Sequence, residues 1–167
     1  MKKFRNALVA SLALTFILAV HVAAEPSSPA FSATMLPEAH DGDTPKLIFS
    51  ARLWRVDCPE IGQPYAEEAR DFTVTWAWGK PVRVEQHGVS YGRPVVSLST
   101  LTGGDLALAL VRAGLAWVEP RYNRRDEYGA ALLAAQAEAK AARRGLWAED
   151  KPVAPWEWRK SRKAAEK

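Results

Sequence analysis

The order in which two hydrophobic periodicities occur along the chain narrows the fold more than any other feature. Short apolar runs, several with period-two alternation, fill Thr34 to Leu98: TMLPEA, KLIF, ARLWRV, PVRVEQ and RPVVSL. Gly, Asp or Pro bounds most of them, as expected of half-buried strands. Segments with helical spacing come later. GGDLALALVRAG puts Leu106, Leu110 and Ala113 on one face, with Gly114 able to close the helix in a positive-φ conformation. RRDEYGAALLAAQAEAKAARRG is Ala-rich, carries Arg143 and Arg144 near its negative end and meets a stop at Gly145. One helix interrupts the strands: in PYAEEARDFTVTWAWG, Ala69, Phe72 and Trp76 recur at helical spacing between Pro64 and Gly79. One helix inserted among about five strands, with further helices afterwards, predicts a small closed barrel carrying helices rather than a doubly wound sheet.

The first residues stand apart from this pattern. A basic stub, MKKFRN, precedes an apolar run from Ala7 to Val20, too short to span a bilayer comfortably. Val22 and Ala24 then fit the small-residue pattern before a cleavage point, so residues 1–24 read as a secretory signal peptide and the protein as exported, periplasmic or secreted. EPSSPAFS after it is rich in Pro and Ser, making 25–33 a flexible leader. The folded domain is expected over 34–159, with a basic tail over 160–167. The formal charge of +4 loses its message on this reading. Without Lys2, Lys3 and Arg5 there are 20 basic against 19 acidic side chains, so net charge does not argue for a nucleic-acid partner. Cys58 is the only cysteine, so no internal disulfide is available and the apolar core must hold the domain together.

Chemistry concentrates in DGDT at Asp41 to Thr44 and RLWRVDCPE at Arg52 to Glu60. Asp43, Asp57 and Glu60 form an oxygen-rich pocket if the strands bring them together, and hard cations such as calcium prefer carboxylates supplemented by carbonyls and waters. In an ideal strand, Arg52 and Asp57 fall on opposite faces unless a bulge intervenes. YGR at Tyr91 to Arg93 sets a guanidinium beside an aromatic ring, a combination suited to a phosphate and a stacked base. The histidines, His21, His40 and His87, show no metal-binding spacing with Cys58, which excludes a zinc enzyme of the usual kind. His40 and His87 read as surface or strand-edge residues, and Cys58 as a small buried hydrophobe. Trp54, Trp76, Trp117 and Trp147 read as core packing, and Trp156 and Trp158 as braces for the tail.

Taken together and in order, DGDT, RLWRVDCPE, YGR, LVRAGLAWV and AARRGLW resemble the staphylococcal nuclease (thermonuclease) family over about residues 34 to 159. The resemblance implies a five-stranded OB-fold barrel with three α-helices. It also implies calcium-dependent hydrolysis of phosphodiester bonds in DNA and RNA, leaving 3'-phosphate ends. Carried over by motif position, Asp43, Asp57 and the backbone carbonyl of Cys58 would be calcium ligands, and Asp41 would support them. Glu60 would activate or orient the attacking water, and Arg52 and Arg93 would clamp phosphate oxygens. Tyr91 and Tyr122 would face the substrate. A monomer with no stable membrane span after signal cleavage is the expected form.

Two features keep other functions in view. Asp43 and Arg52 are joined by a shorter connection than the family's usual hairpin, with Pro45 directly after DGDT, and QHGVS before Tyr91 lacks the acid and base often found there. A noncatalytic OB module that binds nucleic acid is the alternative these departures favour. An envelope-associated interaction domain is a third, for which the Trp-bearing basic tail is the clue.

Overall fold

The computed structural model describes residues 30–34, 41–44 and 50–166, the first five by their backbone alone. The signal-peptide stretch, most of the leader, His40, Pro45 and the KLIF run lie outside these residues. Strands come early in the chain, as β1 (Ala30–Thr34), β2 (Arg52–Leu53), β3 (Val56–Asp57), β4 (Pro81–Ser90), β5 (Arg93–Thr100) and β6 (Trp117–Val118). Helices α1 (Ala66–Ala77), α2 (Leu106–Ala113), α3 (Glu127–Ala141) and α4 (Pro155–Ala165) accompany them, with a short 3-10 turn at Gly145–Ala148.

The centre of the sheet is the β4–β5 hairpin. Tyr91 and Gly92 both adopt positive φ, 49° and 75°, and join the strands in a two-residue turn of the kind whose twist matches that of the strands. β1 adds to β4 antiparallel and β2 to β5 parallel, giving the order β1-β4-β5-β2. Alternation along the hairpin turns Val82, Val84, Val96 and Leu98 inward. Against them pack Leu106, Leu110 and Val111 of α2, which in turn contacts Leu132 of α3 through the same core. Each caliper of these two helices is capped: Asp105 accepts from Leu108 N at 2.7 Å and Asp126 accepts from Gly129 N at 2.7 Å.

Several expectations change. β1 begins inside the stretch read as leader, where its backbone pairs Ala30–Thr34 with Glu85–Pro81. The described residues form a mixed four-stranded sheet and a separate two-stranded β3–β6 ladder rather than a closed five-stranded barrel. The physical reason lies at Arg55, whose φ of 64° breaks the strand between β2 and β3, so the chain leaves β5 and takes β6 as its next partner. α3 ends four residues before Gly145, with Arg143 at φ 50° making the reversal. A fourth helix replaces the expected three. Pro155 starts α4 at a position where its missing N–H costs nothing, Glu157 sits in the first turn, and Arg162 and Lys163 sit in the last, each favourable to the helix dipole. Residues 160–165, expected as a tail, are therefore helical. Trp156 braces α4 edge-on against Trp117, with centroids 5.7 Å apart, while Trp117 meets Trp147 at 4.4 Å.

Candidate active site

The DGDT segment is seated by close packing. Gly42 lies so near α1 and Cys58 that an added Cβ would stand 2.6 Å from Ala69 Cβ and 2.8 Å from Cys58 Sγ. Its carbonyl accepts a hydrogen bond from the buried Thr73 hydroxyl of α1. Asp43, itself buried, accepts from Cys58 N at 2.8 Å through Oδ2, and its carbonyl accepts from Leu53 N at 3.0 Å. The two motifs that are separate in sequence are thus sewn together through backbone groups.

Arg52 and Asp57 do meet, because the left-handed residue Arg55 between them cancels the strand alternation that would have parted them. Arg52 Nη2 donates to Asp57 Oδ1 at 2.9 Å. The other oxygen of Asp57 accepts from Arg159 Nη2 of α4 at 2.8 Å. Arg159 Nη1 reaches Glu60 Oε1, so one guanidinium ties both acids of the VDCPE motif. Glu60 is held from the backbone side as well, its N–H donating to Gln63 Oε1 at 3.0 Å.

The hairpin turn carries Tyr91 and Arg93 to the same place. Arg93 Nη1 donates to Thr44 Oγ1 at 3.3 Å, linking YGR to DGDT. Arg52, Glu60, Tyr91, Arg93 and Tyr122 all line one cleft of about 470 Å³. Asp41, Asp43, Asp57 and Cys58 are not in its lining. Asp43, Asp57 and Cys58 are buried, and Asp57 reaches the cleft through its two arginines. A neighbouring cavity of about 350 Å³ shares Arg52 and Tyr122 and contains His87, stacked on Trp54 at 3.7 Å. His87 is the residue at the β4 bulge, with Nε2 3.0 Å from Ser97 Oγ.

Sequence reasoning does not single out Arg121, and it leaves the basic run RKSRKAAEK from Arg159 evenly divided between attracting phosphate and being a solvated tail. Arg121 is steered into the cleft by the buried Glu119, which accepts from its Nε and Nη2 at 2.9 Å each. Arg159 opens that run, and the PWEWRK string before it, whose Pro and spaced Trp residues mark a docked helix, is the local signal that places it against the domain.

Acidic groups crowd Asp43. Burial pushes its carboxyl well above the ordinary range, and Asp41 and Asp57 push it further, against the pull of Arg52 and the Cys58 N–H. Asp41 Oδ1 is buried and accepts no hydrogen bond. Burial alone would depress the Arg52 guanidinium, but Asp43 and Asp57 hold its pKa above the usual arginine value. Among the described residues no three His, Cys, Asp or Glu side chains converge as a ready-made metal cage. The oxygen-only donors, the orphaned Asp41 oxygen and the crowded charge at Asp43 nonetheless fit the chemistry of a hard cation.

A family model described as staphylococcal nuclease homologue matches residues 50–149, which leaves α4 outside the match. The chain is 35% identical over 125 residues to an uncharacterized endonuclease of Escherichia coli, spanning 71% of this chain and 79% of that protein. It is 35% identical over 116 residues to the staphylococcal-like nuclease CAN1 of Arabidopsis thaliana, and 30% identical over 129 residues to a probable staphylococcal-like nuclease CAN1 of Oryza sativa. These matches span 69% and 77% of this chain but only 34% and 38% of the two plant proteins.

Proposed function

The chain belongs to the staphylococcal nuclease family, and from that premise we propose that it is a calcium-dependent nuclease that hydrolyses phosphodiester bonds in DNA and RNA and leaves 3'-phosphate ends. The observation that carries this reading is the convergence of Arg52, Glu60 and Arg93 on one cleft, with Asp57 bonded to Arg52 at its wall.

Arg52 and Arg93 approach from β2 and from the hairpin, and their planar donors grip phosphate oxygens and stabilise the charge that develops on them. Glu60 accepts a proton from, or orients, the attacking water once that water lies within hydrogen-bond reach. Asp43, Asp57 and the Cys58 carbonyl would hold calcium, supported by Asp41, and when bound the ion supplies Lewis-acid polarisation of a phosphate oxygen. Tyr91, exposed on the turn, and Tyr122 offer ring faces on which bases stack. The same proposal includes export after cleavage at Ala24 and a monomeric state.

The test is a calcium titration on short DNA and RNA substrates with wild type and Glu60→Gln in parallel. Cleavage should rise with calcium and vanish with a chelator, and Glu60→Gln should lose about 10²–10⁴-fold in rate. Equal cleavage by both proteins overturns the role of Glu60, and cleavage indifferent to chelation overturns the metal. A second reading, a noncatalytic nucleic-acid-binding module, is favoured by one observation: Asp57 and Glu60 are both already bonded to Arg159. Binding without product at every calcium concentration would establish it.

A further inference from the structure

α4 lies beyond the segment that matches the family model, yet its side chains line the cleft. We propose that α4 forms a second wall of the substrate cleft, on which Arg159 and Lys163 bind backbone phosphates of a single nucleic-acid strand. The proposal rests on the reading that this cleft takes nucleic acid.

Trp156, Arg159, Lys160 and Lys163 are the α4 residues that line the cleft, and their spacing of three, four and seven places them on one face of the helix. The Trp end of that face is fixed against Trp117, so the basic end is presented at a defined height.

The charge balance favours an anion. Six cations line the cleft: Arg52, Arg93, Arg121, Arg159, Lys160 and Lys163. Four acids pair with them, Asp57 with Arg52 and Arg159, Glu60 with Arg159, Glu119 with Arg121 and Glu157 with Lys160 at 2.8 Å, and the buried Asp43 also acts on Arg52. Among the described residues Arg93 donates only to a neutral hydroxyl and Lys163 forms no ion pair. Arg93 and Lys163 thus bring positive charge to the cavity with no carboxylate paired to either, and walls of low dielectric strengthen their field.

Arg159 is ready for a phosphate rather than used up by its acids. Asp57 and Glu60 fix its rotamer, so little side-chain freedom remains to be lost on binding. Among the described residues its Nε–H meets no acceptor, and its side chain is 34% exposed. Asp57 therefore orients two guanidiniums, Arg52 on one oxygen and Arg159 on the other, at the edge of one anion site.

The experiment measures binding of a fluorescent single-stranded DNA 12-mer in chelator, so that nothing is cleaved, over a range of salt. Wild type is compared with Arg159→Gln, Lys163→Gln and Lys80→Gln, an exposed lysine that lines neither the cleft nor the neighbouring cavity. Each cleft variant should flatten the plot of log affinity against log salt by about 0.7, or about fivefold in affinity per decade of salt, as expected for one lost phosphate contact on a single strand. Lys80→Gln should match wild type. Lys163 is exposed, so its variant tests the idea without risk to folding. Wild-type slopes in both cleft variants overturn the proposal. So does an Arg159→Gln protein that binds the 12-mer normally but takes up calcium more tightly by calorimetry, which would make Arg159 a placeholder for the ion. A wild type that neither binds the 12-mer nor cleaves in calcium overturns the nuclease reading as well, whereas one that binds and cleaves with unaltered variants overturns only the role of α4.

Discussion

Replacing Gly42 by Ala probes how the acid-bearing loop is held. The backbone at Gly42 is not left-handed, so an alanine meets no conformational strain and the cost is steric alone. The added Cβ would stand 2.6 Å from Ala69 Cβ, 2.8 Å from Cys58 Sγ and 3.0 Å from Cys58 Cβ, all closer than carbon and sulfur tolerate. None of these atoms is the free end of a flexible side chain, so α1 or the Asp57–Cys58 segment must move. Overpacking of this kind costs about 1–3 kcal/mol, which lowers the melting temperature of a domain this size by roughly 4–12 °C. Urea unfolding gives the stability, and Ala69→Gly supplies the control. Alone it costs about 1 kcal/mol as a glycine in a helix, but combined with Gly42→Ala it removes the nearest clash, so the pair should be more stable than additivity predicts by about 1 kcal/mol. A Gly42→Ala protein within about 0.5 kcal/mol of wild type, or strict additivity in the double variant, would refute the packing argument.

Two further predictions concern groups whose titration is displaced. Hydrogen bonds from Arg55 first, and then the Gly129 N–H, hold the Asp126 carboxyl well below the ordinary range. Because the folded-state pKa is the lower one, this stabilisation is complete above the unfolded value of about 4 and is lost as pH falls from there toward the folded value. Urea midpoints of wild type should therefore fall more steeply with acid than those of Asp126→Asn, and parallel curves would show that the pair is not responsible. Burial first, and then Asp43, Asp41 and Asp57, push the Cys58 thiol well above its ordinary pKa. A chromogenic disulfide reagent should leave native Cys58 unmodified at pH 8 and react at once when urea unfolds the chain; rapid labelling of the native protein would contradict this.

What the sequence makes legible here is whatever is encoded within a few residues. α2 announces itself through Leu106 and Leu110 and is closed by Gly114 at φ 74°, as expected from spacing and from the glycine. The YGR triplet likewise contains its own turn. The switch of strand partner at Arg55 is not legible, because a left-handed arginine carries no local signature and its guanidinium, lying 3.8 Å over the neighbouring Trp54 ring, is held by a distant group, Asp126, bonded to both Nη atoms at 2.6 Å. That one residue decides both that the sheet splits and that Arg52 can touch Asp57.

The same distinction governs charge. A near balance of basic and acidic side chains argues against a nucleic-acid partner only if the two signs are mixed over the surface, and sequence order cannot show whether they are. In the fold they are segregated. Arg159 meets Asp57 across 102 positions, Arg93 meets Thr44 across 49, and the cations from β2, the hairpin, the segment after β6 and α4 face one cleft. Asp57 is buried behind the lining, where it orients two of those cations. For a polyanion the relevant quantity is the field inside that cleft, to which Arg93 and Lys163 contribute without a paired carboxylate, so a chain whose formal charge is only +4 can still present an attractive site.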